Sequence, residues 1–149
     1  MSNILIVEDD SFKSENLVAF IGGWIQDADI QCVSDVASAV REVQSKIFDL
    51  ILLDIALPSH PVVSGGGSPM SLLNGGLEIV FELHALERND ACIIVTQYPE
   101  IEIAGNFFSV ESAAAAIKTF FDCDVVGCIQ YAEESSSWKL ELSEFLKNI

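Results

Sequence analysis

Short, uninterrupted apolar runs alternate with longer amphipathic stretches along this chain. Residues 4–7 (Ile-Leu-Ile-Val) stop abruptly at Glu8-Asp9-Asp10, and Leu50–Leu53 stops in the same manner at Asp54. Residues 91–95 form another run, ending at Thr96; residues 125–129 form a further one, and residues 29–33 a weaker one. Apolar runs of this length read as strands buried on both faces, the pattern of a parallel sheet. Between them the period changes. Residues 11–24 place Phe12, Leu17, Phe20, Ile21 and Trp24 at helical spacing, with Gly22-Gly23 weakening the end. Ser34 or Asp35 can cap a helix to about Lys46 with Val36, Val40, Val43 and Ile47 as its stripe. Further helices are expected over residues 77–86 and 110–121, and from a Ser136 or Ser137 cap to about Leu146.

Strand and helix alternate five times, which predicts an α/β fold: a doubly wound, five-stranded parallel sheet with helices on both faces. Two stretches resist the pattern. Residues 59–76 hold Pro61, Gly65-Gly66-Gly67, Pro69 and Gly75-Gly76, so a loop or insertion is expected there. A second loop, with Pro99 and Gly105, is expected to lead into the fourth helix. Ligands of such sheets bind at the carboxyl ends of the strands, near the point where strand order reverses. Glu8-Asp9, Asp54 and Thr96 stand at those ends.

Composition narrows the partners. The 149 residues carry 7 Lys+Arg against 23 Asp+Glu, a formal net charge of −16, yet 50% are hydrophobic. That hydrophobic content supports one folded domain over residues 1–149 rather than an acidic disordered segment. The scattered cations form no stripe to neutralise phosphates, so neither nucleic acid nor an anionic membrane is expected as a partner. No run approaches a spanning helix and the first residues lack a signal-peptide pattern, so a cytoplasmic location is expected. Cys32, Cys92, Cys123 and Cys128 form no CxxC pair and read as small buried hydrophobes.

Acids on neighbouring strand ends lie close enough to converge on one cation, and carboxylates crowded together need positive charge between them. A hard oxygen set partly open to water suits Mg²⁺ rather than zinc. A divalent ion there would offset the charge on an incoming phosphoryl group, leaving a carboxylate oxygen of Asp54 as nucleophile. Thr96 offers a hydroxyl to a phosphoryl oxygen. Taken singly, each acid can equally mark the place where a strand meets solvent.

The stretches ILIVEDD, DLILLDIALP and IIVT together resemble the receiver domain of two-component response regulators. Residues 76–80 (GLEIV) are similar to that family's third-helix start, and residues 126–129 (VGCI) to its fifth strand. The resemblance implies a flavodoxin-like three-layer sandwich in which Asp54 is the phosphoacceptor. It assigns Mg²⁺ to Glu8, Asp9 and Asp54, with the Ala56 backbone carbonyl, and gives Thr96 the hydrogen bond to the phosphoryl group. It also implies a sensor histidine kinase or phosphotransfer protein as donor, and a downstream protein target. The docking surface would be the fourth helix, fifth strand and fifth helix, the same surface serving a homodimer. No activity is expected beyond Mg-assisted self-phosphorylation and autodephosphorylation.

Three positions depart from the family pattern. The lysine at the end of the fifth strand is replaced by Tyr131, followed by Ala132 in place of proline. No lysine or arginine lies nearby in sequence, Lys139 being eight residues further on. The aromatic switch position holds Cys128, and the usually small residue after the threonine is Gln97, whose amide can cover the site or orient a water. The step of 22 residues from Asp54 to Gly76 is also long, the excess being the insertion at 59–76. Two functions therefore stand: a receiver switched by phosphorylation of Asp54, and a degenerate receiver acting as a phosphorylation-independent interaction module. In either, a chain ending at Ile149 is expected to act by docking rather than by binding DNA.

An aspartate-nucleophile phosphatase would place a second Asp at residue 56, where Ala56 stands, and so lacks its general acid. A flavin-type phosphate cradle is opposed by the Glu8-Asp9-Asp10 charges. His60 and His84 have no partner suggesting catalysis. Trp24, Phe107, Phe108 and Trp138 read as packing anchors, and the small-residue run 113–116 reads as helix filler or a close-packing face.

Overall fold

The structure, a computed structural model, describes residues 2–60, 71–72 and 75–149, so the insertion expected at 59–76 lies mostly outside the described residues. Five strands form the central parallel sheet: β1 (Ser2–Val7), β2 (Ala28–Val33), β3 (Leu50–Leu53), β6 (Ala91–Thr96) and β9 (Gly127–Gln130). Their order is β2-β1-β3-β6-β9, all neighbours parallel. Two short antiparallel ladders complete the strands: β4 (Leu57–Pro58) with β5 (Ser71–Leu72), and β7 (Glu100–Ile103) with β8 (Asn106–Ser109).

The helices are α1 (Ser11–Trp24), α2 (Val36–Ser45), α3 (Gly76–Ala85), α4 (Val110–Phe121) and α5 (Ser137–Leu146). Period-two alternation along the strands divides the core into two layers. Leu5, Val7, Ile51, Leu53 and Ile94 point to the face covered by α2, α3 and α4. Ile4, Ile6, Leu52, Ile93, Val95 and Ile129 point to the other, covered by α1 and α5 through Leu17, Ile21, Trp138 and Leu142. Each such buried aliphatic side chain contributes about 1.5–3 kcal/mol of transfer free energy.

Caps decide where helices begin. Asp10 accepts from the Phe12 and Lys13 amides at 3.0 and 3.2 Å and opens α1. Asp35, not Ser34, caps α2 by accepting from the Ser38 amide at 2.8 Å. At the lower rim of the sheet, Arg88 grips Asp90 with Nε and Nη2 and also donates to the Val43 and Lys46 carbonyls. That brace joins the end of α2 to the entry of β6.

Four expectations need correction. The loop expected before α4 is a hairpin: Glu100-Ile101-Glu102-Ile103 alternates, burying Ile101 and Ile103, and Ala104 and Gly105 turn with φ of 53° and 83°. Two successive positive φ values are the signature of a tight turn matched to strand twist. The alternation was legible; Pro99 and Gly105 masked it. Cys32 is exposed on the edge strand β2, while the other three thiols are buried. Phe107 is largely exposed, whereas Trp24, though partly exposed, stacks on Phe20, and Trp138 is buried and packs on Phe20 and Tyr131. Finally, Phe12 faces outward; the inward stripe of α1 is Lys13, Leu17 and Ile21.

Candidate functional site

Strand order reverses between β1 and β3, and the register there pairs Val7 with Leu53 and Leu53 with Ile94. Continued by one residue, it sets Glu8, Asp54 and Val95 side by side at the carboxyl edge. The backbone is anchored: Glu8 N–H donates to the Val33 carbonyl and Asp54 N–H to the Val7 carbonyl, each at 3.0 Å. Asp54 Oδ1 also accepts from the Ile55 amide at 2.7 Å.

Glu8, Asp9 and Asp54 each offer a carboxylate oxygen, the three lying within 4.8 Å of one another. Glu8 and Asp54 are buried and Asp9 is exposed. This all-oxygen donor set, one side open to solvent, fits a hard divalent cation such as Mg²⁺. Burial raises the Glu8 carboxyl above its ordinary range, the Lys13 ammonium opposing the rise and Asp54 reinforcing it. Partial desolvation and the Asp54 charge raise Asp9 as well.

Thr96 is fully buried at the end of β6, where its Oγ1 accepts from the Tyr98 amide at 3.3 Å. Tyr131, at the position where the family pattern has lysine, donates its amide to the Thr96 carbonyl at 2.7 Å. Its hydroxyl accepts from Asn16 Nδ2 on α1 at 2.9 Å, and its ring joins the Trp138 and Leu142 layer. Cys128 faces the opposite layer, under α4, its thiol pushed up to about 12 by burial. Ala56 is half-buried against that same layer.

The residue sequence reading missed is Lys13. It is 1% exposed, and its Nζ donates to Glu8 Oε2 at 2.9 Å and to the Val95 carbonyl at 2.7 Å. Gln97 Oε1 accepts from it at 3.3 Å, and Asp54 Oδ2 lies 3.5 Å away. The ammonium also sits 5.6 Å from the centre of the Tyr131 ring. No lysine or arginine is near Tyr131 in sequence, but one is near it in space: the charge arrives from the first turn of α1, more than a hundred residues away along the chain. The available signal was spacing, since Lys13 stands four residues before Leu17 and eight before Ile21 on one helix face. Gln97, expected to cover the site or orient a water, is exposed and tethers that ammonium.

Gly76 closes the floor. Its amide donates to the Ile55 carbonyl at 2.8 Å, and a Cβ there would overlap the Asp54 carbonyl oxygen. The third helix is thereby held directly against the Asp54 backbone, which no larger residue would allow.

A doubly wound sheet with a carboxylate cluster at its switch point defines a flavodoxin-like α/β domain with a candidate cation site. The response regulator receiver domain model matches residues 4–126, and the chain belongs to that family. The match stops one residue short of β9, which carries Cys128 and leads into Tyr131 and Ala132, while Gln97 lies within the matched residues. A curated relative, the Detocs response regulatory protein DtcB of Vibrio alginolyticus, is 36% identical over 97% of this chain and 99% of its own. Among solved structures, a LuxR-family DNA-binding response regulator from Staphylococcus aureus superposes with a TM-score of 0.65 at 20% identity, covering 99% and 98% of the two chains. The response regulator TrrA of Thermotoga maritima, solved in complex with Mg²⁺-BeF, superposes with a TM-score of 0.61 at 19% identity, covering 97% and 99%. No helix among the described residues is long and apolar enough to cross a membrane.

Proposed function

We propose that this receiver domain accepts a phosphoryl group on Asp54 in a Mg²⁺-dependent reaction and thereby alters a protein-docking surface. The observation that carries the reading is the convergence of Glu8, Asp9 and Asp54 within 4.8 Å at the switch point of the sheet. Mg²⁺ bound by these carboxylates, with the Ala56 carbonyl, would neutralise the charge of an incoming phosphoryl group. An Asp54 carboxylate oxygen attacks the phosphorus of a phosphohistidine donor. The new O–P bond forms as the donor's P–N bond breaks, and the imidazole leaves with the electron pair. The product is an acyl phosphate, with no change in oxidation state.

The chain's own groups prepare that step. The Ile55 amide fixes Oδ1 of Asp54, leaving Oδ2 as the oxygen nearer the ammonium of Lys13. The Thr96 hydroxyl, one residue beyond Val95, the register partner of Asp54, would meet a phosphoryl oxygen above that edge. The donor would be a sensor histidine kinase or a phosphotransfer protein. The responding surface would include α4, β9 and α5, the same surface that would serve a homodimer.

One observation favours a second reading. Lys13 already lies between Glu8 and Asp54, so the fold carries an internal counter-ion and can hold its acids together without Mg²⁺. On that reading the domain docks constitutively.

Backbone amide NMR separates the two. Mg²⁺ followed by beryllofluoride, a mimic of aspartyl phosphate, is expected to shift resonances around Asp54 and Thr96 and onward into β9 and α5, with none of these beryllofluoride shifts in Asp54→Asn. Shifts with Mg²⁺ alone, and none with beryllofluoride, would overturn the phospho-switch in favour of constitutive docking.

A further inference from the structure

The ammonium of Lys13 is held by four oxygens from three different strand ends: Glu8 after β1, Asp54 after β3, and Val95 and Gln97 at β6. A buried lysine is costly unless its donors are used, and these are fully used. Here the ammonium is also hung from a carbonyl at 2.7 Å on the strand facing Asp54, which keeps it at the acid cluster if the carboxylates take another cation. Beside Lys13 opens a surface pocket lined in part by Asp10, Phe12, Lys13, Gln97, Gln130 and Tyr131.

Resting on the assignment of Asp54 as phosphoacceptor, we infer that Lys13 is the phosphoryl-contacting cation of this domain, delivered from α1 rather than from the end of β9. A phosphoryl group on Asp54 Oδ2 places new anionic oxygens within about 3 Å of an ammonium already 3.5 Å from that atom. The same charge cannot come from Tyr131, whose neutral hydroxyl carries none and accepts from Asn16. Lys13 thus has two successive partners. Before transfer it balances Glu8 and Asp54; after transfer it pairs with the phosphoryl oxygen while a divalent cation holds the carboxylates. Because Lys13 and Asn16 share α1, and Asn16 holds Tyr131, this exchange bears on the α1–β9–α5 side of the sheet.

The test compares wild type, Lys13→Met and the transposed double variant Lys13→Met/Tyr131→Lys. Calorimetric titration with Mg²⁺ and then with beryllofluoride is paired with intact-mass measurement of the adduct formed from acetyl phosphate. Lys13→Met is expected to bind Mg²⁺ as tightly as wild type or several-fold tighter, since a competing cation is gone. It should bind beryllofluoride at least tenfold more weakly and form the acyl phosphate more slowly. The double variant should recover much of both losses, a rescue that a purely structural lysine would not give. Equal beryllofluoride affinity and equal phosphorylation in wild type and Lys13→Met would overturn the role of Lys13 while leaving Asp54 as acceptor. A wild type that takes neither beryllofluoride nor phosphoryl would overturn both. Loss of Mg²⁺ binding in Lys13→Met, unrescued by the double variant, would make Lys13 a structural tie and overturn the inference.

Discussion

Removing the charge of Asp54 should make the protein more stable, and the structure gives the size of the effect. In Asp54→Asn the side chain keeps its shape, and its oxygen can still accept from the Ile55 amide. What changes is charge. At an effective dielectric of about 20, the Lys13 ammonium 3.5 Å away attracts the carboxylate by about 5 kcal/mol. Carboxylates as far apart as 4.8 Å repel by about 3.5 kcal/mol per pair, and above a pH of about 8, the value to which burial lifts Glu8, Asp54 faces two, Glu8 and Asp9. Repulsion therefore exceeds attraction by about 2 kcal/mol, and the burial of Asp54 adds a desolvation cost of the same sign. Urea unfolding followed by far-ultraviolet circular dichroism, in EDTA at about pH 9 where Glu8 is ionised, should show Asp54→Asn more stable than wild type by about 2 kcal/mol with an unchanged slope. Saturating Mg²⁺ should then close the gap, because a ligand at a hundredfold its Kd stabilises the wild type by about 2.7 kcal/mol. A variant less stable than wild type by more than about 1 kcal/mol would refute the reasoning. It would show that the Lys13–Asp54 pair holds the fold together and that the acids are not kept at a cost for chemistry.

Three further outcomes follow from other parts of the fold. Burial alone would raise the Asp90 carboxyl, but hydrogen bonds from Arg88 and the Phe48 amide, with the Arg88 charge, hold it below the usual carboxylate range. Its contribution is therefore complete above the unfolded value of about 3.9 and is lost as pH falls through the lower folded value. Asp90→Asn should cost about 2–3 kcal/mol in urea unfolding at neutral pH, and the difference from wild type should shrink as pH falls through the lowered folded value; a difference independent of pH would refute the assignment. Gly76→Ala should lose about 1–3 kcal/mol and weaken beryllofluoride binding together, because the added Cβ overlaps the Asp54 carbonyl and approaches Ile55 Cα to 2.9 Å; a neutral result would mean that α3 can slide away from the site. Iodoacetamide at about pH 8 should label the folded protein at Cys32 alone, since Cys32 is exposed while burial raises the Cys92, Cys123 and Cys128 thiols; intact mass showing more than one adduct before unfolding would refute it.

Most of the architecture was legible in the order of residues because the signals are local. An apolar run that halts at a carboxylate, as at Val7-Glu8 and Leu53-Asp54, marks both a buried parallel strand and its functional end. Asp35 as a helix cap and the span of α4 follow from short-range hydrogen bonding and periodicity in the same way. The hairpin Glu100–Ser109 was masked because its turn residues outweighed four residues of alternation. The resemblance to receiver domains supplied roles for Asp54, Glu8, Asp9 and Thr96, and it was weakest at β9, where the family match also stops.

By itself, then, the sequence determined the alternating α/β order, the two-faced sheet, and the gathering of acids at one edge, all consequences of side-chain period and strand ends. Only the tertiary structure decided what balances those acids. A lysine in an amphipathic helix ordinarily reads as a solvated residue; spacing puts Lys13 on the face of Leu17 and Ile21 but does not say which groups its ammonium will meet. The packing of α1 against β1 and β6 brings the Lys13 ammonium to Glu8, Asp54 and Val95, groups up to 82 residues distant. Charge balance in a buried site is a property of three-dimensional neighbours, and that is why the missing cation could be found only in the fold.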